Sequence, residues 1–145
     1  MDLKQAKELV RGRLSDKRYE HTINVKKMAV KLAKHYGTDP EQAALAALLH
    51  DCDDYKLAGE EAAEKLPNAR RILTMAGADD DMREKVLNIV ARMGYSKSLK
   101  GIMPSSLEGK VVSDADMLDA IGVGGIIRCL QYAVVRCNAF GTPLF

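Results

Sequence analysis

Four polar side chains sit where an otherwise aliphatic pattern calls for apolar ones. Counting from His21, the residues at +4, +7, +8 and +11 are Val25, Met28, Ala29 and Leu32, so a helix there would carry His21 on its apolar stripe. His50 shares a helical face with Ala43, Ala46 and Ala47, side chains small enough to let a second helix approach, and Asp51 follows it directly. Asp116 shares a face with Gly109, Val112, Ala120 and Val123. Two imidazoles and two carboxylates thus point inward. A buried carboxylate is costly unless it is paired or meets a cation. Imidazole with carboxylate is a usual donor set for Zn, Mn or Fe-type ions. Each residue also has a plainer reading: a hydrogen-bonded core histidine, or an aspartate paired with a helix cap or an arginine. Periodicity alone leaves both open.

The elements that must position these groups are all helices. Asp2 starts a helix to about Leu14. A second runs from about Arg18 to Tyr36 and stops at Gly37. Asp39-Pro40 restarts the chain with an N-cap and a first-turn proline, and the third helix ends near Cys52. Short helices are expected over Glu60–Leu66 and Asn68–Met75 with Pro67 as the break, then one over Met82–Met93 behind the acidic Asp79 to Asp81. Gly94 to Pro104 reads as a loop. Ser105 to Glu108 reads as a capping box, with Ser105 at the N-cap, for a helix to Ile121. Glycines 122, 124 and 125 precede a last apolar helix over Ile126–Cys137 and a tail from Gly141. No hairpin signal occurs, so the expected fold is all-α, a compact irregular helical bundle.

At 145 residues the chain suits a single domain, 1–145. It is 47% hydrophobic and 29% charged, within the range of ordinary globular proteins. The 22 basic and 20 acidic residues leave a formal charge of +2, which gives no general case for nucleic-acid or anionic-membrane binding. Aromatics are only 5%, too few for a base-stacking platform. No apolar run reaches the roughly 18 residues of a membrane span, and the first ten residues lack the core of a secretory signal. Three cysteines without a framework spacing suit reduced thiols in a cytoplasmic protein. Cys52 reads as a small structural residue, and Cys129 and Cys137 as core.

Three segments in order carry a resemblance: Arg18-Tyr19-Glu20-His21-Thr22; Ala46-Ala47-Leu48-Leu49-His50-Asp51; and Val111 through Gly122, containing Ala115-Asp116-Met117-Leu118. Together they resemble the HD superfamily of metal-dependent phosphohydrolases over nearly the whole chain. The first half is most similar to hydrolases of the diadenosine tetraphosphate type, and Ser105 to Arg128 to the nucleotide pyrophosphatase branch. The resemblance implies an HD-type bundle with His21, His50, Asp51 and Asp116 as ligands of one divalent metal ion (Mn, Fe, Co, Zn or Mg). Asp116 is preferred to Asp114 and Asp119 because it occupies the Ala-Asp-x-Leu string. Asp54, three residues after Asp51, stands where relatives place an acid near the attacking water, a catalytic position.

The chain holds three His, none between His50 and Asp116, and Met93 stands where related chains often carry His, which argues for one ion rather than two. His35 lies about 21 Å from His21 along one helix and is out of reach. Arg18 and Lys110 are the first choices for phosphate contacts, with Lys26 and Lys56 as further basic neighbours. The Gly122 to Gly125 string lacks the ending of a P-loop and suits close helix packing. The expected substrate is a small phosphate ester, a nucleotide by resemblance, with neither nucleic acid nor membrane as partner. Relatives continue into a further helical segment, which leaves the cleft either more open or completed by a second subunit of a homodimer. The alternative to a hydrolase is an HD-fold metal-binding regulatory or interaction module without turnover.

Overall fold

The computed structural model describes residues 1–54 and 59–140, with side chains left aside at 62 and 136–140. Lys56, the tail from Gly141 and the side chain of Cys137 lie outside what is described. Nine helices and no strand occur among them: α1 (Leu3–Arg11), α2 (Asp16–Tyr36), α3 (Pro40–Leu49), α4 (Glu60–Lys65), α5 (Pro67–Met75), α6 (Asp80–Arg92), α7 (Tyr95–Ser98), α8 (Leu107–Ile121) and α9 (Val123–Phe140). The all-α expectation holds. No single described helix is long and apolar enough to cross a membrane.

α3 is the hub, and its composition makes it so. Its eight residues from Gln42 to Leu49 are all buried, and the seven from Ala43 to Leu49 are apolar on every side, as in a central helix. α2, α8, α6 and α1 pack around it. The alanines at 43, 46 and 47 are fully buried and keep the neighbouring helices close. Leu45, Leu48, Leu49, Val25, Val86, Ile89 and Val112 fill the remaining space.

Helix ends are held by side chains. Asp2 accepts from the amides of Lys4 and Gln5 at 2.9 and 3.1 Å, and Asp39 from those of Glu41 and Gln42 at 2.9 and 3.2 Å. Gly37 ends α2 in the left-handed region at φ 69°, which glycine adopts without steric cost. Several boundaries differ from the sequence reading. Gly12 stops α1 at Arg11, and Ser15 starts α2 at Asp16. Pro67 is the first residue of α5 rather than a break, and the expected loop after Gly94 contains α7.

At α8 the cap is Ser106, not Ser105: its hydroxyl accepts from the Gly109 amide at 3.1 Å. Glu108 does not close a capping box. Its carboxylate instead accepts from the Thr38 hydroxyl and the Asp39 amide, tying α8 to the α2–α3 turn. Only Gly122 separates α8 from α9, with a 65° bend between them, while Gly124 and Gly125 lie within α9. A Cβ on Gly125 would collide with the carbonyl of Ala120, so the expected close helix packing is present at this corner. α9 is largely exposed beyond it, and Cys129 faces solvent rather than a core.

The turn after α3 holds the least expected feature. Cys52 is fully buried, as a small structural residue should be, but the aspartate beside it, Asp53, is only 3% exposed. Leu66, at φ 52°, gives α5 no side-chain cap. Asp53 supplies one from a distance, accepting from the amides of Asn68 and Ala69 at 3.1 and 2.8 Å and from the Asn68 side chain at 2.7 Å. Substituting Asp53→Ala strips three donors of their acceptor. It should lower the unfolding free energy by about 2 kcal/mol in urea titrations, the upper range for a lost cap. A loss below about 0.5 kcal/mol would mean that the cap is dispensable.

Candidate functional site

Three helices deliver the polar groups to one place. α2 contributes Arg18 and His21, three residues apart and so on one face. The end of α3 contributes His50, its C-cap residue, and the turn after it adds Asp51 and Asp54. α8 contributes Asp116 and, one turn on, Asp119. Donor atoms of His21, His50 and Asp51 all lie within 4.8 Å of one another, an arrangement that could hold a metal ion. Asp116 Oδ1 is 3.1 Å from His21 Nε2 and 3.7 Å from His50 Nε2. The imidazole centroids are 5.4 Å apart with the rings inclined at 67°.

Hydrogen bonds assign the ring nitrogens. His50 Nδ1 lies 2.7 Å from the carbonyl oxygen of Ala47, which can only accept, so Nδ1 carries the proton. That leaves Nε2 with its lone pair, 3.6 Å from Asp51 Oδ1. This Nε2 is buried and has no hydrogen-bond partner. His21 differs in having a carboxylate on each nitrogen: Nδ1 is 2.5 Å from Asp119 Oδ2, and Nε2 is 3.1 Å from Asp116 Oδ1. Both rings therefore present Nε2 to the same point.

Charge inside the cluster moves two pKa values. Burial works against a charged His21, but hydrogen bonds to Asp116 and Asp119 outweigh it and raise the imidazole above its ordinary 6.5. Burial would raise Asp116, yet the His21 hydrogen bond and the two imidazoles hold it below 3.8. Nearby, burial, with help from Asp53 and Asp51, pushes the Cys52 thiol up to about 12, so it is an inert structural group.

Around the cluster, a cleft of about 290 Å³ is lined by His50, Asp51, Asp54, Asp116, Met93 and Lys97, among others. Arg18 Nη1 reaches Asp54 Oδ2 at 3.0 Å and Asp51 Oδ2 at 3.7 Å, so it bridges the two acids. Six of the seven residues singled out from the sequence are thus assembled: Arg18, His21, His50, Asp51, Asp54 and Asp116. Lys110 is not among them. It is exposed, and its six-residue offset from Asp116 turns it about 240° around α8, away from that side chain. Asp114 is exposed, and His35 packs against Tyr36 at the far end of α2.

Sequence reasoning passed over Asp119 as a lesser alternative to Asp116, although its i+3 spacing placed it on the same face. It also passed over Lys97, which reached the cleft through an unexpected short helix. Lys97 Nζ donates to the Ala91 carbonyl at 2.6 Å, and burial lowers its pKa.

The family model for the HD domain matches residues 18–121. An uncharacterized protein of Bacillus subtilis, YpgQ, is 33% identical over 141 residues, covering 91% of this chain and 68% of its own length. A crystal structure of YpgQ superposes with a TM-score of 0.76 at 31% identity, covering 100% of this chain and 73% of that one. YpgQ in complex with ADP gives 0.72 at 28% identity, covering 99% and 69%. A predicted HD superfamily hydrolase from an uncultured Thermotogales bacterium gives 0.69 at 30% identity, covering 89% and 74%. The symmetrical bis(5'-nucleosyl)-tetraphosphatase of Halalkalibacterium halodurans is 47% identical over 51 residues, 35% of this chain and 27% of that protein.

The pKa directions set a pH profile for the metal-free protein. His21, raised on folding, adds stability that is fully present below its ordinary 6.5 and is lost as pH rises through its folded value. Asp116, lowered on folding, adds stability that is present above 3.8 and is lost as pH falls through its folded value. Urea titrations without metal should therefore show greatest stability between these two titrations and a decline above about pH 6.5. In His21→Gln the alkaline decline should shrink. An identical decline in both proteins would contradict the cluster's electrostatics.

Proposed function

This chain belongs to the HD domain family, and on that premise we propose that it is a metal-dependent phosphohydrolase that cleaves a nucleotide or related small phosphoester with water. The observation that carries the reading is the buried Nε2 of His50. A polar atom removed from water without a partner is unfavourable, and its lone pair is aimed where His21 Nε2, Asp51 and Asp116 also point. Two imidazole nitrogens, that of His21 once a metal displaces its proton, and two carboxylates fit one divalent cation.

In this reading His21, His50, Asp51 and Asp116 hold the ion. A bound divalent cation supplies Lewis-acid stabilisation of phosphate charge and makes water a competent nucleophile at neutral pH. The remaining steps belong to the chain. Asp54, on the cleft wall, takes the proton of the attacking water. Arg18 holds Asp54 and Asp51 in place and brings positive charge to the mouth of the site, where phosphate oxygens need it. Lys97 adds a second cation on the cleft lining. Lys110 receives no part. The ADP complex of YpgQ and the local similarity to tetraphosphatases support a nucleotide as the substrate class.

The test is metal analysis together with hydrolysis of a nucleotide panel in Mn, Co and Mg. Wild type should bind one ion and release phosphate or pyrophosphate. Asp51→Ala should lose both. Asp54→Asn should keep the ion while kcat falls by about 10²–10⁴-fold, the usual weight of a general base. An ion and a nucleotide bound without product under any condition would replace the hydrolase by a binding module.

A further inference from the structure

Asp119 is the carboxylate of the cluster that the reaction above leaves without a task. Its Oδ2 accepts from His21 Nδ1 at 2.5 Å and from Arg128 Nη2 at 2.9 Å. It stands on the Nδ1 side of the ring, whereas Nε2 faces Asp116 and His50. Arg128 comes from α9 and reaches Asp119 because the α8–α9 corner closes tightly at Gly125, where no Cβ fits against Ala120.

We propose that Asp119 is a positioning residue for the metal ligand His21, and that Arg128 holds Asp119 in turn. This rests on the metal-site reading of His21. The carboxylate fixes the proton on Nδ1, sets the ring's rotation and leaves the Nε2 lone pair directed at the ion. A ligating imidazole is also a stronger donor when its other N–H is given to a carboxylate. His50 is oriented by a backbone carbonyl, that of Ala47, which no substitution removes. His21 is oriented by a side chain, so its arrangement can be dissected. α9 thereby supports the centre through Arg128, whose guanidinium holds Asp119.

Calorimetric titration of Zn²⁺ into the metal-free full chain tests this. Asp119→Ala should bind the ion about 10–100-fold more weakly than wild type, the usual cost of losing such a partner. Asp119→Asn keeps an acceptor for Nδ1–H without the charge and should recover part of the loss. Arg128→Ala, which leaves His21 and Asp119 in place, should weaken binding less than Asp119→Ala and serves where that variant does not fold. The ring nitrogens give a readout that general destabilisation does not move. In ¹⁵N-histidine spectra of the zinc-loaded wild type, His21 should be protonated at Nδ1 alone with a strongly downfield proton, and that proton should move upfield in Asp119→Ala. A wild type that takes up no ion would sink the metal site itself. A wild type that binds normally beside an Asp119→Ala within twofold of it would overturn only the positioning role.

Discussion

Taking imidazoles and carboxylates out of water is the constraint to which this fold answers. Each such group loses hydration that only a partner can replace. Here the partners are arranged so that nearly every polar atom of the cluster is satisfied on its outer side. Ala47 and Asp119 take the two Nδ1 protons, and Arg18 spans Asp51 and Asp54. What stays unsatisfied is the inner side, where His50 Nε2 has no hydrogen bond. That unpartnered nitrogen faces the side where His21 Nε2, Asp51 and Asp116 also lie.

That arrangement needs helices that come very close, and the alanines of α3 allow it. With Ala43, Ala46 and Ala47 fully buried, α2 and α8 can bring His21 and Asp116 within hydrogen-bond distance while α3 ends beneath them. The end of α3 also feeds the turn carrying Asp51, Asp53 and Asp54. Asp53 anchors that turn by capping α5, so its neighbours on either side are held toward the cleft. Adjacent aspartates thus have different tasks: one stabilises a distant helix and two face the site.

How much of this can be read without coordinates depends on the range of each interaction. His21, His50 and Asp116 stand out because each interrupts an apolar stripe whose period is local. Asp53 does not stand out, because its partners lie 15 and 16 residues away and no local pattern links them. Asp119 carried a local signal, the three-residue spacing from Asp116, that is easily missed when one ligand per helix is sought. Lys110 misleads because nearness along a helix is not nearness around it. Ser105 and Ser106 are both competent caps, and the choice follows from Glu108 being drawn to Thr38, a contact across 70 residues. Cys129 looked like core because α9 is apolar, but apolar composition does not say which helices find a covering neighbour.

The proposed centre is a single divalent ion between α2, α3 and α8. Anomalous diffraction at the zinc edge, from crystals of the wild-type protein grown with Zn²⁺, tests it most directly. One peak is predicted, about 2.1 Å from Nε2 of both His21 and His50 and in contact with carboxylate oxygens of Asp51 and Asp116. A cluster with no peak, or a peak coordinated through Nδ1 of either histidine, would contradict it.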